Sequence, residues 1–211
     1  MRKLPVYILI DTSGSMQGKP IEAVRTGLSE MIDSLRLDPY ALETACVSII
    51  TYDREARQIL PMTPLDCLRL PEISCPESGP TFLGAALNLL CQCYDSEVNI
   101  GTAARKGDWM PLLFVLTDGK PSDLQDYEQA IERIRNRQFS NIVACAAGPK
   151  AKAEPLKKLT RHVFKLDMMD GKAFSKFFQW ISTNVRRGGC DTFDATCAQL
   201  APPPPEMNVV R

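Results

Sequence analysis

The sequence predicts an α/β fold: a doubly wound, mostly parallel six-stranded sheet with one short antiparallel edge strand and helices on both faces. Three observations lead there. Continuous apolar runs such as Val6-Tyr7-Ile8-Leu9-Ile10 and Leu112-Leu113-Phe114-Val115-Leu116 suit parallel strands buried on both faces. Segments with helical spacing separate the runs. Polar turns rich in acids and hydroxyls follow them, at the sheet edge where open α/β folds bind ligands.

Each element can be justified in order. Met1-Arg2-Lys3-Leu4 imitates the basic start of a signal peptide, but Pro5 interrupts the apolar stretch and Asp11 stops it, so it reads as the first strand. Ile21, Val24, Leu28, Met31, Ile32 and Leu35 then recur at helical spacing, with Pro20 tolerated near the helix start. Cys46 to Tyr52 reads as the second strand. Arg57 to Leu60 forms a short third strand in a hairpin with it, followed by Pro61 and Pro64, which suit an edge. Prolines 61, 64, 71, 76 and 80 mark residues 61–80 as an irregular loop.

Phe82 to about Val98 is helical, with Leu83, Leu87, Leu90, Cys91 and Tyr94 on one face. Strand four spans 111–117, Gln125 to Arg137 is an amphipathic helix, and Ile142 to Ala146 is the fifth strand. A short helix at Pro155 to Thr160 precedes the sixth strand, Val163 to Leu166. The final helix carries Phe174, Phe177, Phe178, Ile181 and Val185 as a core stripe. From Arg186 the composition shifts to Arg187-Gly188-Gly189 and a proline run, Pro202 to Pro205. The expected organisation is one domain over 1–186 and a flexible Gly/Pro-rich tail over 187–211, the proline run being a spacer more readily than a ligand for an aromatic groove.

Composition narrows the function. A chain of 211 residues with 45% hydrophobic content supports its own core. Lys plus Arg and Asp plus Glu both total 25, so there is no basic footprint for nucleic acid. No apolar run approaches the roughly 18 residues of a membrane helix, and a cytoplasmic location is expected. Of the eight cysteines, Cys46 and Cys145 lie in strand runs and Cys91 and Cys93 in a helix without CxxC spacing, so reduced, mostly buried thiols are expected. Cys67, Cys75, Cys190 and Cys197 lie in the loop and tail. Their x7 and x6 spacings are not those of usual zinc pairs, and unpaired thiols are the favoured reading.

The chemistry concentrates in three turns. Asp11-Thr12-Ser13-Gly14-Ser15 closes the first strand with a carboxylate and hydroxyls, Gly14 allowing the loop to bend. Thr117-Asp118-Gly119 closes the fourth. Ser78-Gly79-Pro80-Thr81 opens a helix between them and brings a further hydroxyl. A hard cation wants several oxygens, which one loop rarely supplies. Helix capping explains each residue separately but not their convergence on one edge. A phosphotransfer enzyme using Asp11 with magnesium is the alternative, but a haloacid-type site needs a second acid where Ser13 stands, and receivers need paired acids near the first strand. Lys120 reads as a solvated residue beside Asp118, and His162, the only histidine, as surface or core filler.

On these three ordered loops the chain resembles the von Willebrand factor type A domain, a Rossmann-like fold with a metal-ion-dependent adhesion site (MIDAS). The resemblance covers about residues 4–186. It implies Ser13, Ser15 and Thr81 as direct or near-direct metal ligands, and Asp11 and Asp118 as binding directly or through water. It also implies one coordination position left for a partner's carboxylate. Leu4-Pro5-Val6-Tyr7, the segment Pro39 to Ala45, Lys106-Gly107-Asp108-Trp109 and the segment Ala144 to Pro149 further resemble the compact A-domain proteins of bacterial tellurium-resistance and stress-response loci, the TerY type. One departure stands out: that family usually has Gly-Gly-Thr where this chain has Gly79-Pro80-Thr81, and Pro80 fixes its own φ and moves Gly79 away from helical geometry.

The expectation is therefore a non-catalytic, cytoplasmic protein-binding adaptor that uses Mg2+, with Mn2+ or Ca2+ as alternatives. Its expected partner is a protein offering Asp or Glu, and the resemblance points to a kinase or PP2C-like phosphatase of the same locus.

Overall fold

The computed structural model describes residues 2–76, 79–102, 104–149, 151–188 and 199–210. In chain order the elements are β1 (Leu4–Asp11), α1 (Lys19–Arg36), α2 (Pro39–Thr44), β2 (Ala45–Tyr52), β3 (Ala56–Pro64), α3 (Leu83–Glu97), β4 (Leu112–Thr117), α4 (Leu124–Arg135), β5 (Asn141–Ala147), β6 (His162–Leu166), α5 (Gly171–Arg186) and β7 (Met207–Val209). They build one sheet in the order β3-β2-β1-β4-β5-β6-β7. Pairing is parallel from β2 through β6, while β3 and β7 run antiparallel at the two edges.

The apolar runs are continuous because each central strand feeds two cores. Val6, Ile8 and Ile10 of β1 point to the face covered by α1 and α5, and Tyr7 and Leu9 to the face covered by α3 and α4. β4 divides in the same way, with Phe114 and Leu116 on one side and Leu113 and Val115 on the other. On the first face Trp180 of α5 meets Phe114 and Phe164 edge-on, at centroid distances of 6.4 and 5.1 Å. Gly27 of α1 lets the two helices approach closely, since a Cβ there would lie 2.5 Å from the Phe178 ring.

Two expectations about the edges are corrected. The third strand is longer than Arg57 to Leu60 and includes Pro61 and Pro64. An edge position accommodates both prolines, because a missing N–H costs nothing on the side that faces no neighbour. Glu97 at the end of α3 anchors this edge, accepting hydrogen bonds from Tyr7 Oη (3.1 Å), Gln58 Nε2 (2.7 Å) and the Met62 amide (3.1 Å).

Among the described residues the sheet has seven strands, against the six expected from the sequence. The seventh comes from the stretch expected to be a flexible tail: residues 199–210 lie against α5 and end in β7, paired with β6. The proline run that reads as a spacer presets an extended chain, and Pro202 and Pro204 line a small groove with Trp180. The Trp180 indole N–H donates to the Ala201 carbonyl (2.9 Å), the Ala201 amide donates to Asn184 Oδ1 (2.8 Å), and Met207 is buried. One short helix, α2, was not anticipated. Its start is legible in retrospect, with Asp38 Oδ1 capping the Ala41 amide (2.8 Å) and Pro39 in the first turn.

Candidate metal centre

β1 and β4 are adjacent although β2 and β3 come between them in sequence, so the chain reverses its direction of winding at this pair. A crevice at the carboxyl ends of the strands is expected at such a switch point. Asp11 is the last residue of β1 and Asp118 follows the last residue of β4, so both acids stand at that crevice.

The register places Ile10 opposite Leu116, which sets Asp11 beside Thr117. The Thr117 hydroxyl donates to Asp11 Oδ2 (2.7 Å) and the Ser13 amide donates to Oδ1 (2.9 Å). No solvent reaches Asp11. Burial pushes its carboxyl up from 3.8 to about 6 and Asp118 adds to the rise, while the Ser13 and Thr117 hydrogen bonds oppose it. Two acids, 11 and 118, thus share a water-poor edge.

The remaining oxygens come from the first loop and from the segment before α3. Ser13 ends the strand–turn junction and precedes a 3-10 turn, Gly14–Met16. Its hydroxyl lies 3.3 Å from that of Ser15 and donates to Asp118 Oδ1 at 3.5 Å. Ser13 is buried, whereas Ser15 is exposed at the mouth of the crevice. The left-handed bend of this loop falls at Gly18 (φ 77°) and not at Gly14, which correctly reads as a turn residue but needs no glycine-only conformation. Thr81 is buried against the Asp118–Gly119 turn: a Cβ on Gly119 would lie 2.9 Å from Thr81 Oγ1. All five residues singled out in the sequence therefore reach one edge, four of them joined by hydrogen bonds or hydroxyl contact and Thr81 packed beside them.

Several contributors were not legible in the sequence. Thr117 stands in the turn the sequence marks, but its hydrogen bond to Asp11 depends on strand register. Asp53, after β2, accepts from the Thr12 hydroxyl (3.4 Å) and its carbonyl accepts from the Phe82 amide (2.9 Å), joining a third strand end to the site. Cys75 is part-buried close enough to feel Asp11, Asp53 and Asp118. Burial and then these acids push its thiol up to about 11, keeping it neutral. Of the four cysteines weighed for zinc, Cys67 is exposed, and Cys190 and Cys197 lie outside the described residues. Among the described residues no three His, Cys, Asp or Glu side chains gather as a metal-binding group. A cation held at this edge would meet neutral hydroxyls beside two carboxylates, a donor set of hard oxygens of the kind magnesium, calcium or manganese takes.

The family model for the von Willebrand factor type A domain matches residues 6–179, and the chain belongs to that family. Comparison with curated proteins finds no match. Among solved structures the fold resembles a von Willebrand factor type A protein from Catenulispora acidiphila, at 16% identity and a TM-score of 0.65, covering 88% of this chain and 43% of that one. It also resembles proximal thread matrix protein 1 from the mussel byssus, described with a zinc-occupied MIDAS motif, at 15% identity and a TM-score of 0.63, covering 88% of this chain and 46% of that one. BatB from Bacteroides thetaiotaomicron matches at 16% identity and a TM-score of 0.52, covering 85% of this chain and 98% of that one. The chain thus spans less than half the length of the first two. Domains of this family commonly mediate metal-dependent protein interactions and are typically not enzymes. Among the described residues no helix is long and apolar enough to cross a membrane.

Proposed function

We propose that the chain is a non-catalytic, divalent-metal-dependent protein-binding adaptor in which Asp11, Ser13, Ser15, Thr81 and Asp118 hold Mg2+, with Mn2+ or Ca2+ as alternatives. A partner's Asp or Glu completes the shell. The observation that carries this reading is the meeting of two buried carboxylates and three hydroxyls at the switch point between β1 and β4. The zinc in the MIDAS motif of the byssus protein supports a divalent cation at such a site.

Magnesium prefers six oxygens near ~2.1 Å and retains waters that an outside ligand can replace. Two ionised carboxylates only balance its charge, and neutral hydroxyls leave its pull on a further anion intact. A protein carboxylate is then the natural ligand, and metal and partner each raise the affinity of the other by the same factor. Phosphotransfer through Asp11 has less support, because Ser13 stands where a second acid would be needed.

We further assign the adaptor to the cytoplasm and to a bacterial tellurium-resistance or stress-response assembly, beside a kinase or PP2C-like phosphatase. This rests on the resemblance of the segments around Pro5, Pro39, Trp109 and Cys145. A source strain lacking the protein should become tellurite-sensitive and be rescued by wild type but not by Asp11→Ala. Unchanged sensitivity would remove the assignment. Docking itself is tested by water-proton relaxation with bound Mn2+. Acetate, as the carboxylate probe, should displace water and lower the enhancement where acetamide does not; equal responses to both would contradict carboxylate docking.

A further inference from the structure

The loop that brings Thr81 to the edge is held by residues of the Asp118 turn. Ser122 makes two hydrogen bonds to the Thr81 backbone: its amide donates to the Thr81 carbonyl (2.8 Å), and its hydroxyl accepts from the Thr81 amide (3.3 Å). Asp123 adds two more. It occupies the N-cap position of α4, where an aspartate ordinarily bonds its own helix, yet it makes no such side-chain bond there. Its carboxylate instead accepts the amides of Gly84 (3.1 Å) and Ala85 (2.8 Å), in the first turn of α3, whose own N-cap residue Phe82 has no capping side chain.

The two helix starts touch through their backbones. A Cβ on Gly84 would lie 2.4 Å from the Tyr127 nitrogen, so only glycine permits this approach. Pro80 removes a further degree of freedom just before Thr81, and Gly79 is not among the positive-φ glycines of the described residues, as the residue before proline should not be.

We infer that Ser122 and Asp123 are positioning residues for the metal site, making Thr81 and Asp118 a preassembled half-site. This inference rests on the reading of Thr81 and Asp118 as metal ligands. Asp123 would act indirectly: its carboxylate bonds the α3 amides, and its effect on a bound metal would pass through the Thr81 loop. The half-site also accounts for Pro80. With two hydrogen bonds to Ser122, two more from Asp123 fixing the α3 start that follows, and a fixed φ at Pro80, the loop gives up the glycine-type freedom of the family pattern in exchange for a single placement of the Thr81 hydroxyl.

The test is calorimetric titration of the full chain with Mg2+ alone, each variant being checked for native circular dichroism. Asp123→Ala should weaken Mg2+ about tenfold or more, the usual cost of losing a residue that orients a metal ligand. Asp123→Asn, which keeps one acceptor, should recover part of the loss. Ile134→Val, at the buried far end of α4, should lower stability but leave Mg2+ affinity unchanged. Should Asp123→Ala not fold, Ser122→Ala and Asp123→Asn carry the test, each expected to weaken binding severalfold. Wild-type affinity in these variants, with Asp118→Ala still abolishing binding, would overturn the clamp and spare the metal site. Absence of Mg2+ binding by wild type would overturn both.

Discussion

Replacing Asp11 with asparagine separates the cost of the site from its use. In the metal-free fold Asp11 is fully buried and its carboxyl titrates at about 6, against an ordinary 3.8. A carboxyl whose folded-state value is raised binds its proton more tightly in the native protein. It therefore stabilises the fold fully below pH 3.8, and that stabilisation is lost as pH rises through 6. The gap corresponds to about 3 kcal/mol of stability lost between pH 4 and neutrality. Asparagine keeps the shape without the titration. Urea unfolding in chelator should then show Asp11→Asn more stable than wild type at pH 7 by up to about 3 kcal/mol, the two curves converging near pH 4. Magnesium should reverse the ranking once it is well in excess, since a cation at about 1,000 times its dissociation constant stabilises wild type by about 4.1 kcal/mol and the variant hardly at all. Parallel wild-type and Asp11→Asn stabilities from pH 4 to 7 in chelator would refute the reasoning.

Other expectations bear on the frame that holds the site. Gly84→Ala should cost about 1–3 kcal/mol in urea unfolding by forcing α3 from α4, and Mg2+ affinity should fall with it. Phe178→Ala, beside Gly27 at the α1–α5 contact, should cost about 3–5 kcal/mol, because the glycine leaves no neighbouring side chain to refill the cavity. Trp180→Phe removes the indole N–H that holds the Ala201 carbonyl. Hydrogen exchange should then accelerate at the Val210 amide and in Met207–Val209, while the β1 and β4 amides keep their protection.

The fold was legible because a strand buried on two faces cannot hide its composition. Val6 to Ile10 and Leu112 to Leu116 are apolar at every position for the reason that odd and even residues serve different cores. Three loops of chemistry could be ordered along the chain for the same reason, each beginning where an apolar run or a proline-rich segment ends. Partnerships set by register or by contact between distant elements could not be read. Thr117 meets Asp11 through the β1–β4 pairing, and Asp123 resembles an ordinary cap for α4 until its bonds to Gly84 and Ala85 are seen. Residues 199–210 misled because proline-rich composition describes local stiffness and says nothing of the Trp180 indole that donates to the Ala201 carbonyl; residues 189–198 of the expected tail lie outside the described residues.

The proposed adaptor requires that the oxygens at the β1–β4 crevice bind a divalent cation. Titrating wild type and Asp118→Ala with Mg2+ by calorimetry, with both proteins shown folded by circular dichroism, tests this most directly. Wild type should bind one equivalent saturably, and the variant should lose that binding. Binding of equal affinity in both, or none in wild type at millimolar magnesium, would contradict the proposal.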